Sequence, residues 1–345
     1  MEQDMINRVR RDLLKRLMGV TTAAVLTPTL LMRSALAADA NEALMGPTVN
    51  DVTPRKINDK IYYIPAEQGK FPSVQNKGFF TNIMFILSNK GVIVIDPSAS
   101  VQIGQMAIRM IKTVTDMPVV AVINTHYHGD HWMGNQAFAE AYPNAPIYAF
   151  KEVAEAIKNV LGEEWIQMAL SATKNATIGT KVVAPNTHVK AGDVLNFGNV
   201  SLKLHHFGQS HTPFDMLVEI EGEGIVHMGD VVMEHRLAGM GNGEGSFVQG
   251  IETLKKIKAA MPNHNFFPAH GKMGKHLVDE EIKLFETVYN ITAATQKAGK
   301  SMTDAVNAVK ADPFMTEYAK GTEDYEHGVK QWVSIAYLEA ESSNF

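Results

Sequence analysis

Three histidines and one aspartate lie within six residues of the stretch NTHYHGDHWMGN, which spans residues 124–135. They are His126, His128, Asp130 and His131. Imidazole and carboxylate groups at this density are either solvated or hold a ligand. The apolar run PVVAVI before them and Trp132 after them argue against a solvated loop. The stretch therefore predicts a metal-binding site.

The spacing within this cluster indicates more than one ion. His126 and His128 are two residues apart, so in an extended segment their side chains point to the same side. Asp130 and His131 follow where the chain turns into the next helix, and they face elsewhere. One four-coordinate ion does not easily take all four groups from so short a loop. Two neighbouring ions can each take two, and each then needs further ligands from later in the chain.

Three later residues at strand ends are candidates for those further ligands. His211 lies in GQSHTPFD, Asp230 in HMGDVV and His270 in FPAHG. Chemistry on a β scaffold gathers where strands end. Of the remaining histidines, only His235 follows Asp230 closely enough to approach the site. His188 and His327 are expected to lie on the surface. The others are expected to be structural: His205, His206, His227, His264 and His276.

The elements that position these residues alternate between strands and helices. Strand patterns occur in KIYYI, NIMFIL, GVIVID, PVVAVINT and APIYAF, and helical patterns occur over 101–114, just after the cluster, and over 151–170. Residues 193–232 predict short strands separated by glycine-containing turns. Helices are predicted at 247–260 and 275–298, and the last 45 residues are mostly helical. This order indicates a layered α/β protein.

The composition excludes several classes of function. The chain has 345 residues, no cysteine and a formal net charge of −5. Without cysteine there is no disulfide, no thiolate nucleophile and no cysteine-bound metal, so His, Asp, Glu or backbone oxygen must hold any ion. The chain lacks the basic stripe of a nucleic-acid-binding protein. We therefore expect a small-molecule substrate, and the sequence leaves the oligomeric state undefined.

The first 37 residues form a separate segment. It contains the pair Arg10-Arg11, an apolar run over 17–32, and small residues at Ala35 and Ala37. A basic region, an apolar region and an A-x-A site are typical of an export signal, and the run is too short and interrupted to span a membrane. The pattern R-R-D-L-L-K resembles a twin-arginine signal. We expect export of the folded protein to the periplasm or beyond, cleavage after Ala37, and no stable membrane anchor afterwards.

The complete set, H-x-H-x-D-H followed by His211, Asp230 and His270 in that order, resembles the metallo-β-lactamase superfamily over about residues 57–275. The resemblance implies a four-layer αββα sandwich. Asp96, at the end of VIVID, falls where the family keeps a structural aspartate beside the site. The ligands that the resemblance implies are His126, His128 and His211 for one ion, Asp130, His131 and His270 for the other, and Asp230 as the bridge.

These patterns divide the chain and predict a reaction. We expect a signal peptide over 1–37, a linker over 38–55, a catalytic domain over 56–275 and a C-terminal helical extension over 276–345. Two divalent ions, expected to be zinc with iron or manganese as alternatives, would share a hydroxide that attacks an acyl-type substrate such as a thioester, a lactone or another ester. Asp130 is the expected catalytic residue, because it can orient that hydroxide and carry a proton.

Other functions stay open at this point. One β-lactamase subclass uses a cysteine ligand, and another lacks a bridging carboxylate. Asp230 therefore favours hydrolases resembling glyoxalase II and the lactonases. A β-lactamase is the first alternative. A mononuclear iron oxidoreductase acting on sulfur compounds is the second. The flavin-linked di-iron relatives have a glutamate where this chain has His128, and the nuclease relatives have an inserted domain and basic surfaces. An intact ligand set also disfavours a non-catalytic binding protein.

The sequence does not identify the substrate-binding residues. The loop VMEHRLAGMGNGEG, residues 232–245, follows Asp230 and is either a wall of the pocket or a surface loop. Tyr127 and Trp132 are further candidates for lining the pocket. There is no basic cluster suited to glutathione or a nucleotide.

Overall fold

The structure is a computed structural model that describes residues 44–66, 69, 71–240 and 244–342. The expected export signal and the first residues of the expected linker lie outside this range. Residues 44–54 have no regular secondary structure, yet they pack on the rest of the chain. The Gly46 amide donates to the Ile178 carbonyl at 2.8 Å, and Arg109 pairs with Asp51 at 2.6 Å.

A seven-stranded mixed sheet forms from the first half of the chain. Its strands are β1 (Arg55–Lys56), β2 (Ile61–Ile64), β3 (Ile83–Ser88), β4 (Gly91–Ile95), β5 (Val119–Ile123), β6 (Ile147–Phe150) and β7 (Thr187–Val189). They lie side by side in chain order, antiparallel from β1 to β4 and parallel from β4 to β7. Strand β4 is buried throughout and reads GVIVI, which is typical of a strand covered on both faces.

A five-stranded sheet follows in the second half. Its strands are β8 (Val194–Asn196), β9 (Ser201–His205), β10 (Leu217–Ile220), β11 (Ile225–His227) and β12 (Asn265–Phe267). The order is β12-β11-β10-β9-β8, and only the β11–β12 pair is parallel among these strands. The short strands and glycine turns predicted for this region are therefore confirmed.

Helices lie against both sheets. They are α1 (Val101–Lys112), α2 (Asn135–Ala141), α3 (Lys151–Ala156), α4 (Gly162–Ala172), α5 (Phe247–Ala260), α6 (Leu277–Lys297), α7 (Met302–Ala311), α8 (Pro313–Ala319) and α9 (Tyr325–Ser342). A π-helical turn over Ile157–Leu161 joins α3 to α4, so the predicted helix at 151–170 is one continuous run. No helix among the described residues combines the length and apolarity that crossing a bilayer requires.

Two apolar cores hold the layers together. On β10, Val218 and Ile220 belong to the core shared with the first sheet, whereas Leu217 belongs to the core shared with the later helices. This alternation is the period-two pattern of a strand buried on both faces. The predicted α/β sandwich with C-terminal helices is thus confirmed, and the division at residue 275 stays a prediction.

Candidate metal centre

The histidine cluster begins where β5 ends, as the sequence predicts. The chain stays extended at His128, with φ −68° and ψ 142°, and then closes into one 3-10 turn over Gly129–His131. His126 and His128 therefore precede the turn, while Asp130 and His131 lie within it. The change of backbone conformation separates the cluster into the two pairs that the spacing indicates.

The three later candidates converge on this cluster from the second sheet. His211 precedes β10, Asp230 follows β11 and His270 follows β12. Between β11 and Asp230, Gly229 has φ +53°, and a Cβ there would lie 2.8 Å from the Thr125 hydroxyl oxygen. Glycine is therefore required at this position, both for its backbone conformation and for the close approach of the two loops.

All seven candidate ligands are brought together in two overlapping groups. Within each group the ligand atoms lie within 4.8 Å of one another. The first group is His126, His128, His211 and Asp230, and the second is Asp130, His131, Asp230 and His270. Every one of these residues is buried, with at most 6% of its surface exposed.

Asp230 contacts ligands of both groups. Its Oδ1 lies 3.4 Å from His131 Nε2, and its Oδ2 lies 3.5 Å from His211 Nε2 and 3.4 Å from His270 Nε2. Two ligands on one tetrahedral zinc ion are about 3.3 Å apart when the bonds are about 2.0–2.1 Å long. The separations in this centre match that geometry, with Asp230 where a bridging carboxylate belongs.

The orphaned polar atoms of the centre also fit a metal. Among the described residues, four inward-facing atoms have no hydrogen-bond partner despite being buried: His126 Nε2, His131 Nε2, His270 Nε2 and Asp230 Oδ1. Leaving a buried polar atom unpaired costs about 1–3 kcal/mol. Four such costs in one place are offset if the atoms bind cations, so the residues present fit divalent ions.

Outer partners fix which ring nitrogen of each histidine faces inward. Asp96 accepts from the Thr125 amide at 2.9 Å and the Thr125 hydroxyl at 2.7 Å, and contacts His131 Nδ1 at 2.8 Å. The same hydroxyl lies 3.1 Å from His126 Nδ1. Both histidines therefore present Nε2 to the centre, and Asp96 has the structural place that the resemblance implies.

Sequence reasoning missed the segment Phe80-Thr81-Asn82, which supports the second group. The Phe80 carbonyl lies 2.9 Å from His270 Nδ1, and the Thr81 hydroxyl donates to Asp130 Oδ2 at 2.5 Å. Asn82 Nδ2 donates to the Gly271 carbonyl at 2.8 Å. Nothing in the local sequence marks these residues, because their partners are brought to them by the tertiary fold.

Charges within the centre shift its pKa values in opposite directions. Burial, His131 and His128 lower the pKa of His126, and burial together with His128 lowers the pKa of His211 to about 3. Burial acts to lower the pKa of His131 as well, but the carboxylates of Asp230 and Asp130 outweigh it and raise that pKa. His126 and His211 are thus neutral near pH 7, which is the state that binds a metal.

Trp132 is not a pocket residue, which corrects the expectation from the sequence. It is fully buried in the first core, and its indole Nε1 donates to the Tyr127 carbonyl at 3.0 Å. Trp165 of α4 instead lies beside the site, with its ring centroid 4.8 Å from that of His128. Spacing along the sequence gives no indication of this contact, because α4 is brought to the cluster only by the fold.

The described parts of the loop, residues 232–240 and 244–245, contribute Arg236 and Glu244 to the site, which favours the pocket-wall alternative. Glu244 Oε2 lies 3.6 Å from His128 Nε2. Arg236 is buried, with its Nη1 3.1 Å from His270 Nδ1 and its guanidinium 4.7 Å from the Phe71 ring centroid. A cavity of about 450 Å³ reaches His270 beside this arginine.

Most of the other histidines are structural or exposed, as expected. Glu219 lies 2.7 Å from His205 Nε2 and 3.3 Å from His264 Nε2. His227 is fully buried beneath the Gly229 amide, which is 3.2 Å from its Nδ1. His235 lines the cavity that reaches His270, which agrees with its expected approach to the site.

Comparison with known proteins gives both a family and relatives. The family model for the Metallo-beta-lactamase superfamily matches residues 76–248. The hydroxyacylglutathione hydrolase of Francisella tularensis subsp. holarctica is 23% identical over 190 residues, covering 55% of this chain and 62% of that protein. The enzyme of the same name from Gloeothece citriformis is 26% identical over 155 residues, covering 44% and 50%. The chain thus spans less than two thirds of the length of these relatives.

Solved structures agree on the fold. A metallo-beta-lactamase from Pontibacter korlensis superposes with a TM-score of 0.53 at 17% identity, covering 68% of this chain and 99% of that one. The DIM-1 metallo-beta-lactamase superposes with a TM-score of 0.54 at 17% identity, covering 70% and 99%. Likeness at this level of identity concerns the fold alone.

Two sheets and two buried His/Asp groups that could hold metal ions are the features that this chain shares with its family. The chain belongs to the metallo-β-lactamase superfamily, whose family model matches half of it.

Proposed function

We propose that this protein is a dinuclear hydrolase that cleaves an acyl-type bond in a thioester, a lactone or another ester. The observation that carries the proposal is the shared carboxylate of Asp230, which lies 3.4–3.5 Å from His131, His211 and His270. A carboxylate that belongs to both ligand groups can bind two ions at once, and a pair of ions activates a shared water. Zinc is the proposed metal, because each group offers four histidine or aspartate ligands, and zinc commonly binds four such ligands.

When bound, two divalent ions supply a Lewis acid for a carbonyl oxygen and lower the pKa of a bound water towards neutrality. The protein supplies the orientation. Asp130 is held by the Thr81 hydroxyl at 2.5 Å and lies 3.2 Å from His270 Nε2, so its position is fixed by two neighbours. A carboxylate held in this way can orient the attacking water and accept its proton.

The substrate is proposed to enter through the cavity beside His270. Arg236, Glu234 and Lys272 are among its lining residues, so opposite charges face it together. Such a lining favours a polar substrate but has no concentrated positive charge for a polyanion. Because hydroxyacylglutathione hydrolases match part of the chain, a glutathione thioester is one of the substrates to test.

The proposal is tested by initial rates on three chromogenic substrates: a glutathione thioester, a lactone and a β-lactam. The zinc-loaded protein is compared with His128→Ala and with His188→Ala, whose histidine is exposed on β7 away from the centre. We expect turnover of the thioester or the lactone, loss of at least about 100-fold in His128→Ala, and no change in His188→Ala.

Faster turnover of the β-lactam than of either ester would identify a β-lactamase instead. Absence of turnover on all three substrates, with oxidation of a sulfur compound by an iron-loaded form, would identify the mononuclear oxidoreductase. Either result would overturn the proposed substrate class without changing the family.

We also propose that residues 1–37 export the folded protein to the periplasm or beyond. The pair Arg10-Arg11, the apolar run and the A-x-A site ending at Ala37 support this proposal. Replacing both arginines with lysine should retain the protein in the cytoplasm at full length. Export of that variant at the wild-type level would contradict the proposal.

A further inference from the structure

Glu244 lies against the first ligand group on a loop that no ligand motif includes. Its carboxylate is 3.6 Å from His128 Nε2, and its side chain is only 15% exposed. The Tyr127 hydroxyl hydrogen-bonds to the same carboxylate. Gln209 Nε2 donates to the Glu244 carbonyl at 2.7 Å, which fixes the backbone at this position.

The two ring nitrogens of His128 face different neighbours. Nδ1 lies 2.9 Å from His211 Nε2, whereas Nε2 is buried without a hydrogen bond to any described residue and has the Glu244 carboxylate 3.6 Å away. Two imidazole nitrogens this close fit a common ion, on which ligands are about 3.3 Å apart. His128 is therefore placed to bind through Nδ1 and to keep its Nε2 proton for an acceptor outside the centre.

Two other histidines of the centre have an outer hydrogen-bond acceptor at their Nδ1. His131 has the Asp96 carboxylate at 2.8 Å and His270 has the Phe80 carbonyl at 2.9 Å. In contrast, His211 Nδ1 has no hydrogen-bond partner within the described part of the chain. In the first group His126 Nδ1 has the Thr125 hydroxyl at 3.1 Å, so a carboxylate behind His128 would be that group's one charged outer partner among the described residues.

We propose that Glu244 is the outer carboxylate partner of His128 and so a positioning residue for the first ion. A carboxylate behind a metal-bound histidine fixes the ring and makes it a stronger base, and its loss typically weakens metal binding about 10–100-fold. The inference goes beyond hydrolysis and rests only on the two-ion site of the proposed function.

The C-terminal helix α9 holds residues 238–240, which precede Glu244 in the chain. Trp332 Nε1 donates to the Ala238 carbonyl at 2.7 Å, and Gln331 Nε2 donates to the Met240 carbonyl at 3.0 Å. The C-terminal helices therefore contact the described residues just before Glu244.

The test is zinc affinity, measured by competition with a chromophoric chelator. In a His270→Ala background the first group keeps all four of its ligands, so Glu244→Gln should weaken zinc binding there about 10–100-fold. In a His211→Ala background, which leaves the second group complete, Glu244→Gln should change nothing. Glu223→Gln is the matched control, since Glu223 is similarly exposed at 21% and pairs with Lys60 at 2.7 Å.

A second variant guards against misfolding. Gln209→Ala removes the donor that fixes the Glu244 backbone, so it should weaken first-group zinc binding in the same direction but less. Metal-free unfolding temperatures of Glu244→Gln and the wild type should agree. Equal zinc affinity with and without Glu244 in the His270→Ala background would overturn the proposal, and so would an equal loss in both backgrounds. A wild type that binds no zinc would overturn the proposed function as well.

Discussion

At the scale of single residues, the centre depends on the side chains that aim its ligands. Asp96 has φ +52°, a conformation that aspartate and asparagine tolerate better than most residues. Its carboxylate meets three donors: the amide and hydroxyl of Thr125, and the ring Nδ1 of His131. A carboxylate accepts all three, whereas an amide group would turn a donor towards at least one of them.

Asp96→Asn should therefore keep the fold and weaken the binding of one zinc ion about 10–100-fold, because His131 loses its orienting acceptor. The measurement is a zinc competition titration with a chromophoric chelator. Asp116→Asn, at an exposed position, is the control and should bind as the wild type does. Unchanged affinity for both ions in Asp96→Asn would show that the aspartate does not act on the metal centre.

The seven ligands could be predicted because their residue types are rare in combination and sit at strand ends. The supporting residues could not, because each is common by type and acts through a contact between distant segments. Thr81 reaches Asp130 across 49 residues, and Asn82 reaches Gly271 across 189. Trp132 shows the opposite error: its closeness in sequence suggested a pocket wall, but its ring belongs to the core.

At the scale of elements, helix α6 brings a buried carboxyl group against the loop over 232–245. Glu281 is 4% exposed and accepts a hydrogen bond from the Met233 backbone. Burial raises the pKa of Glu281 well above its usual range, and neighbouring Glu280 adds to the effect. In the unfolded chain the same carboxyl group titrates near pH 4.5.

The folded state therefore binds this proton more tightly than the unfolded state does, and Glu281 costs stability as the pH rises above 4.5. Glu281→Gln removes the titration while keeping an oxygen for the Met233 amide. The variant should match the wild type near pH 4 and exceed its free energy of unfolding at pH 7, by at most about 1.4 kcal/mol per pH unit above the unfolded pKa.

Thermal unfolding of both proteins across this pH range provides the measurement. Glu286→Gln is the control on the same helix, since Glu286 lies at the surface and pairs with Lys255 at 2.6 Å. A gain in Glu281→Gln that does not grow with pH would contradict the assigned cause.

At the scale of the whole molecule, two apolar cores form the scaffold without any ion. An aromatic group of Phe247, Phe285 and Trp332, with ring centroids 4.9–5.3 Å apart, ties the later helices to α5. Ions add stability to this scaffold by binding the folded state. Each ion present at about 100 times its dissociation constant should add about 2.7 kcal/mol.

Removing zinc with a chelator should therefore lower the unfolding temperature while leaving the far-ultraviolet circular dichroism of the folded protein unchanged. The stripped protein should regain its unfolding temperature when zinc is restored. An unfolding temperature that is the same with and without zinc would mean that the folded chain binds no ion, and loss of secondary structure would mean that the cores do not suffice.

The layered α/β class followed from the sequence because strand and helix periodicities differ, and the long helix at 275–298 matches α6. The pairing of strands did not follow. Strand β12 lies parallel to β11 across the intervening helix α5, a long-range choice that no local pattern specifies. Similarly, the hydrogen bond from Trp332 of α9 to the Ala238 carbonyl could not be predicted, because in the sequence Trp332 resembles an ordinary core residue.

The central claim, a two-ion hydrolase, is tested most directly by the rate of ester or thioester hydrolysis as metal-free protein is titrated with zinc. The shared position of Asp230 between the two ligand groups predicts that the rate keeps rising until two equivalents are bound, and that His128→Ala gains no comparable rate. A rate that is complete at one equivalent, or that does not depend on zinc, would contradict the account.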